Sequence, residues 1–108
     1  LGEICSTADN LQVAIDGENF EVDEMYAAYL SVARDQEEKG AIRTMTYAME
    51  AEKIHAEMYA DARQKALVGQ DIEAGEIYIC PVCGFTHVGE PPERCPVCKV
   101  KKESFKVF

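Results

Sequence analysis

The apolar positions of this chain have two textures, and the change comes near residue 70. From about Thr7 to Leu67 they recur at helical spacing, with no proline and only Gly17 and Gly40 as interruptions. One stripe runs through Leu11, Ala14, Ile15, Glu18, Glu21, Val22, Met25, Ala28, Tyr29 and Val32, and a second through Met45, Ala48, Met49, Glu52, His55, Ala56 and Tyr59. Steps of three and four put each set on one face of an α-helix. The segment is rich in Ala, Glu, Met, Lys and Leu, which favour helix because they lose little side-chain freedom there. Ser6 or Thr7 suits an N-cap, and Val68-Gly69 suits a stop. The polar run from Asp35 to Gly40 splits the segment into two long helices joined by a tight connection.

Beyond Gly75 the pattern shortens. Glu76 to Ile79 reads as a strand, Phe105 to Phe108 as a closing strand, and prolines at 81, 91, 92 and 96 punctuate the stretch between. The expected fold is a two-helix antiparallel hairpin, half of a four-helix bundle, followed by a small metal-bound β ribbon. The expected division is residues 1–70 and 71–108, with a linker near 70–75.

Charged residues break both apolar stripes. Glu18 and Glu21 lie within the first, and Glu52-x-x-His55 within the second. A bare carboxylate is costly to bury, so such groups are paired, protonated or metal-bound. Their heights also agree. With the turn near Glu37, Glu18 lies nineteen residues before it and His55 eighteen after; Glu21 lies sixteen before and Glu52 fifteen after. At about 1.5 Å of rise per residue, each pair shares a level to within roughly one residue. A Glu on one helix facing Glu-x-x-His on its neighbour is the arrangement of carboxylate-bridged di-metal bundles. Each motif alone has a blander explanation, since Glu-x-x-His arises by chance on acidic helices and both glutamates fit a wide exposed face. Asp23, Glu24, Glu37, Glu38, Glu50 and Glu57 fall off the stripes or near the turn and read as a solvated face. Met25, Met45 and Met49 read as packing residues.

The chemistry of the tail is more specific. Cys80-Pro81-Val82-Cys83 and Cys95-Pro96-Val97-Cys98 are separated by eleven residues. Two Cys-x-x-Cys turns bring four thiolates to one point, a tetrahedral S4 cage for Fe or Zn. Two disulfides are the competing reading, but no secretory leader is visible and a fifth cysteine, Cys5, lies outside both pairs. His87, between the pairs, reads as a neighbour of the cage rather than a fifth ligand.

Charge and length then narrow the function classes. A formal net charge of −9 over 108 residues argues against nucleic acid, because the small basic cluster Lys99, Lys101, Lys102 and Lys106 does not offset it. No apolar run approaches a membrane span and no targeting segment is visible, so the expected setting is cytoplasmic, without membrane or nucleic-acid partners. The abrupt start at Leu1-Gly2 is consistent with processing or with a piece of a longer chain.

These motifs together resemble the C-terminal half of rubrerythrin. The resemblance runs through Asp9 to Gln12, Gly17-Glu18-Asn19-Phe20-Glu21, Glu24-Met25-Tyr26 and Ala51 to Tyr59. It continues through Ile79 to Gly89 and from Pro92 to Cys98. It implies a ferritin-like bundle with a non-haem di-iron site that reduces hydrogen peroxide. A rubredoxin-like iron supplies its electrons, received from a reduced rubredoxin or a flavin-dependent, NAD(P)H-linked reductase. By the same resemblance Glu18, Glu52 and His55 match iron ligands, Glu21 a further carboxylate of the oxidised site, and Tyr26 a tyrosine hydrogen-bonding near the ligands. Cys80, Cys83, Cys95 and Cys98 match the ligands of the electron-transfer iron, for which Zn is a possible substitute.

One departure is large. The family has two further helices carrying another Glu and another Glu-x-x-His, whereas the helical half here has a single histidine. A second copy of this chain, in a homo-oligomer, or a complementary N-terminal half chain is expected to complete the bundle. The alternatives are an electron-transfer module with an incomplete di-iron half-site, and a zinc-ribbon interaction protein.

Overall fold

The computed structural model describes residues 4–108; the start at Leu1-Gly2 lies outside them. Three helical segments, α1 (Thr7–Phe20), α2 (Tyr26–Asp35) and α3 (Lys39–Leu67), form the hairpin. Three short strands, β1 (Ile77–Ile79), β2 (Thr86–Val88) and β3 (Lys106–Val107), form the ribbon in the order β2-β1-β3, antiparallel throughout. The expected hairpin and four-cysteine ribbon are therefore both present.

Local chemistry sets the element ends. Ser6 caps α1: its Oγ accepts the Asp9 N–H at 3.2 Å, satisfying one of the amides that a helix start leaves open. The hairpin turn closes when the N–H of Glu38 donates to the Ala33 carbonyl and that of Glu37 to Arg34. That paired pattern needs a left-handed residue at its centre, and Glu37 takes it with φ 55°. The end of α3 repeats the pattern with Gly69 at φ 72°, where glycine carries no Cβ penalty.

The first long helix departs from the expected regular form. Between α1 and α2 the chain makes one wide π turn, Glu21–Met25, in which the Tyr26 N–H reaches back five residues to the Glu21 carbonyl. A wide turn accommodates one extra residue, so every later side chain rotates by about 100° relative to an unbroken α-helix. The stripe past this point is thus displaced by one position. Leu30 and Ala33 are the buried residues of α2, whereas Tyr29 and Val32, expected to face inward, are 50% and 55% exposed. Before the wide turn the expected stripe keeps its register, and Leu11, Ala14, Ile15 and Glu18 are all half-buried.

The ribbon packs on α3. Its buried centre is Cys80, Cys83, Phe85 and Cys95, against which Tyr47 and Ile54 of α3 and Phe105 of the ribbon pack. Phe85 meets Phe105 edge-on at 6.1 Å and stacks on His87 at 6.0 Å. Ala51, buried in α3, lies against Gly84, and its small side chain is what allows the chain after Cys83 to come so near the helix. No described helix is long and apolar enough to cross a membrane.

Candidate metal centres

The four-cysteine centre is assembled from two turns of the same build. In the first, the Gly84 N–H donates to the Cys80 carbonyl and the Cys80 N–H to the Phe85 carbonyl, each at 2.9 Å. In the second, Lys99 donates to Cys95 at 3.0 Å and Cys95 to Val100 at 2.9 Å. The residue after each closing cysteine is left-handed, Gly84 at φ 84° and Lys99 at φ 66°. These turns bring the four Sγ atoms within 4.8 Å of one another. The Cys80–Cys98 and Cys83–Cys95 sulfur separations are 3.5 Å. A disulfide needs about 2.05 Å, whereas the edge of a tetrahedral thiolate cage is about 3.8 Å, so the spacing fits an enclosed metal.

Electrostatics supports the same fit. Burial pushes the Cys83 and Cys98 thiols up, opposed by bonds from the backbone at Phe85 and Val100. At Cys95 burial also pushes upward, but backbone bonds from Cys98 and Val97, together with the Cys83 and Cys98 thiols, outweigh it and lower the thiol. Backbone amides thus point at the sulfurs, as the stabilisation of thiolates requires, and a cation is the remaining partner that lets four thiolates share so small a space.

The second group joins α1 to α3. Glu18, Glu52 and His55 offer ligand atoms within 4.8 Å of one another, all half-buried. His55 Nδ1 lies 2.9 Å from Glu52 Oε2 and 3.8 Å from Glu18 Oε1. Glu18, with its side chain 16% exposed, has its carboxyl raised to about 7, chiefly by burial and then by its hydrogen bond with Glu52 and the Glu52 charge, against the lowering effect of His55. A half-buried cluster of two carboxylates and one imidazole, with one carboxyl holding its proton near neutral pH, is a donor set short of positive charge. Hard oxygen donors with one imidazole suit iron.

Two other residues singled out from the sequence stand outside this tight group. Glu21, at the start of the wide turn, is half-buried, and its charge contributes to raising both Glu18 and Tyr26. Tyr26 is held above its usual range, first by burial and then by the charges of Glu52 and Glu21. The wide turn is what carries Tyr26 onto the inner face, one position past where an unbroken helix would have it. Cys5 lies at the start of α1, where its backbone N–H meets the Asn10 side chain.

Sequence reasoning missed Thr86. It lies on β2, and its Oγ1 is 3.2 Å from Nε2 of His55. The Cys83-Gly84-Phe85-Thr86-His87 run held the residue, but only the docking of ribbon on α3 reveals its neighbour.

Comparison with known proteins agrees in both halves. The family profile described as rubrerythrin matches residues 2–63, and that described as the rubrerythrin rubredoxin-like domain matches residues 78–106. Rubrerythrin-2 of Clostridium acetobutylicum is 56% identical over 100 residues, covering 93% of this chain and 54% of that protein. Nigerythrin of Nitratidesulfovibrio vulgaris is 34% identical over 102 residues, covering 92% of this chain and 48% of that protein. The structure of fully reduced, all-ferrous nigerythrin superposes with a TM-score of 0.85 at 31% identity, over 99% of this chain and 52% of that one. The chain therefore spans about half the length of these relatives. A rubredoxin-like four-cysteine set beside a ferritin-like Glu/His group indicates iron as the cofactor.

Proposed function

Because this chain belongs to the rubrerythrin family, we propose that it is an oxidoreductase that reduces hydrogen peroxide at a di-iron site fed by its rubredoxin-like iron. The observation that carries the reading is the convergence of Glu18, Glu52 and His55 from two helices beside a complete four-cysteine cage. In this reading Cys80, Cys83, Cys95 and Cys98 hold the electron-transfer iron. Glu18, Glu52 and His55 hold iron between the helices, with Glu21 as an additional carboxylate. The functional division falls near residue 70, with residues 1–70 carrying the Glu/His group and 71–108 the cage.

Bound iron would supply the one-electron steps that peroxide reduction sums to two, H2O2 + 2 H+ + 2 e− giving 2 H2O. The protein's part is to hold protons and exclude water. In the metal-free group Glu18 keeps a proton to about pH 7 and is hydrogen-bonded with Glu52, and bound iron would displace that proton. The Tyr26 hydroxyl, its pKa raised, stays protonated beside the same carboxylates and offers a hydrogen bond without competing for metal. Ala56 is buried one position beyond His55 and keeps the helices close.

Three donors make half a di-metal site, and the other half comes from outside these 108 residues. A second copy would supply the same Glu and Glu-x-x-His in two-fold relation. The exposed Val13, Phe20, Tyr29, Val32, Tyr59 and Leu67 give the hairpin apolar surface for such a neighbour. A complementary N-terminal half chain would meet the same need. The electrons would come from a rubredoxin or a flavin-dependent reductase.

Native mass combined with elemental analysis on anaerobically prepared protein, followed by peroxide consumption with a reductase system, tests the reading. About two irons per chain in an even-numbered assembly that consumes peroxide supports it. One metal per chain and no turnover leaves an electron-transfer module, or a zinc ribbon if the sample is colourless after iron reconstitution.

A further inference from the structure

The ribbon reaches the Glu/His group through one side chain. Thr86 Oγ1 lies 3.1 Å from the Gly84 carbonyl oxygen and 3.2 Å from His55 Nε2. A hydroxyl has one proton, and a carbonyl can only accept. The Thr86 proton is therefore placed on Gly84, and toward His55 the hydroxyl presents its lone pair. On the other side of the ring Nδ1 faces Glu52 at 2.9 Å and Glu18 at 3.8 Å. A metal held by those carboxylates and His55 Nδ1 would leave the ring's proton on Nε2, where Thr86 could accept it. Ligating histidines characteristically donate their second ring N–H to such a partner, which fixes the tautomer and the ring plane.

We propose that Thr86 is the positioning residue for His55: its hydroxyl, oriented by the Gly84 carbonyl, holds the Nε2–H and so presents Nδ1 to the metal. This rests on the reading above that Glu18, Glu52 and His55 bind iron. It gives the ribbon a second role. Gly84 directly follows Cys83 and donates its N–H to Cys80, so the first cysteine turn also sets the ring orientation of a ligand in the other centre. The two centres are joined by a path of four residues, Cys83 to Thr86, and one hydrogen bond. The cleft lined by His55, Met58, Tyr59 and Thr86 opens beside this bond. A hydroxyl partner is thus needed to keep water from taking its place.

Thr86→Val keeps the side-chain shape and removes the hydroxyl, and Thr86→Ser restores the hydroxyl without the methyl group. The full chain, in the assembly it forms, is titrated anaerobically with Fe2+ after the tetrathiolate site has been filled. Thr86→Val should weaken iron binding at the Glu/His group by about 10- to 100-fold, with Thr86→Ser close to the wild type. In the zinc-loaded protein, the His55 Nε2–H should be protected from water exchange in the wild type and in Thr86→Ser, and exchange freely in Thr86→Val. Unchanged affinity and protection in Thr86→Val overturn the proposal. So does an equal loss in Thr86→Ser, which would make the effect one of packing, or loss of the tetrathiolate absorbance in Thr86→Val, which would make Thr86 a structural part of the ribbon. Absence of any iron at the Glu/His group in the wild type sinks the proposed function and this proposal with it, whereas a filled wild-type site unaffected by Thr86→Val sinks this proposal alone.

Discussion

The two centres differ in how much of the chain each needs. The four-cysteine cage takes all its ligands from nineteen consecutive residues, Cys80 to Cys98, and its two turns are closed by their own backbone bonds. The Glu/His group takes Glu18 from one helix and Glu52 and His55 from another, and its half-buried state depends on the register of a hairpin whose own buried residues are few: Leu30, Ala33, Ala51 and Ala56. A local site is stabilised chiefly by the metal it binds, whereas a dispersed site is stabilised by the packing that gathers it. Perturbations should therefore separate the centres cleanly.

The largest effect is expected from Cys95→Ser, at a fully buried ligand. Metal binding at such sites is folding free energy, of order 10 kcal/mol in small metal modules. The variant should lose the tetrathiolate absorbance and the amide dispersion of residues 77–107 while the helical circular dichroism persists. Loss of the helices as well would show that the hairpin leans on the ribbon more than the packing implies.

Next comes insertion of one alanine between Ala27 and Ala28, just past the wide turn. The added residue would rotate the rest of α2 by about 100° and turn Leu30 and Ala33 toward solvent, at a cost of about 3–5 kcal/mol. Chemical denaturation should show that loss with the tetrathiolate spectrum unchanged, and an unaltered midpoint would contradict the register argument.

The third concerns the metal-free Glu/His group. Glu18 has its carboxyl raised from 4.5 to about 7, so the folded state binds its proton more tightly than the unfolded chain does. The protein lacking metal at this group should therefore be most stable near or below pH 4.5 with respect to this residue, and lose up to roughly 3 kcal/mol as pH rises to about 7. Glu18→Gln should flatten that slope, measured by denaturation midpoints across the range. Iron binding runs the other way and tightens with rising pH, since the metal displaces the proton.

The smallest is Glu37→Gly. Glu37 holds φ 55° at the turn, a conformation that disfavours a side chain. Glycine there should raise the denaturation midpoint by about 0.5–1 kcal/mol, and a decrease would show that the Glu37 side chain makes a contribution beyond its backbone.

The legibility of these features in the sequence follows the same division. The cage was readable because its ligands are near neighbours and the turn dictates where their sulfurs point. The meeting of Glu18 with Glu52 and His55 was readable from stripe and height together, because α3 is unbroken and the residue added between Glu18 and the connection shifts the count by only one. Tyr29 and Val32 were misplaced for a definite reason: a fixed 3.6-residue period was carried through a segment where one residue is added. Nothing in Glu21-Val22-Asp23-Glu24-Met25 announces that addition. Thr86 was unreadable because its partner lies thirty-one positions away and is met only when the ribbon docks.

The two cysteine turns are near copies in backbone, yet their surroundings differ. The first lies against Ala51 and leads to Thr86, with Cys83 buried; the second leaves Lys99 in solvent and Cys98 half-buried. A centre with matching ligands on both sides thus acquires an inner and an outer pole, and its directionality comes from how a nearly symmetric object is seated rather than from any difference in its bonds.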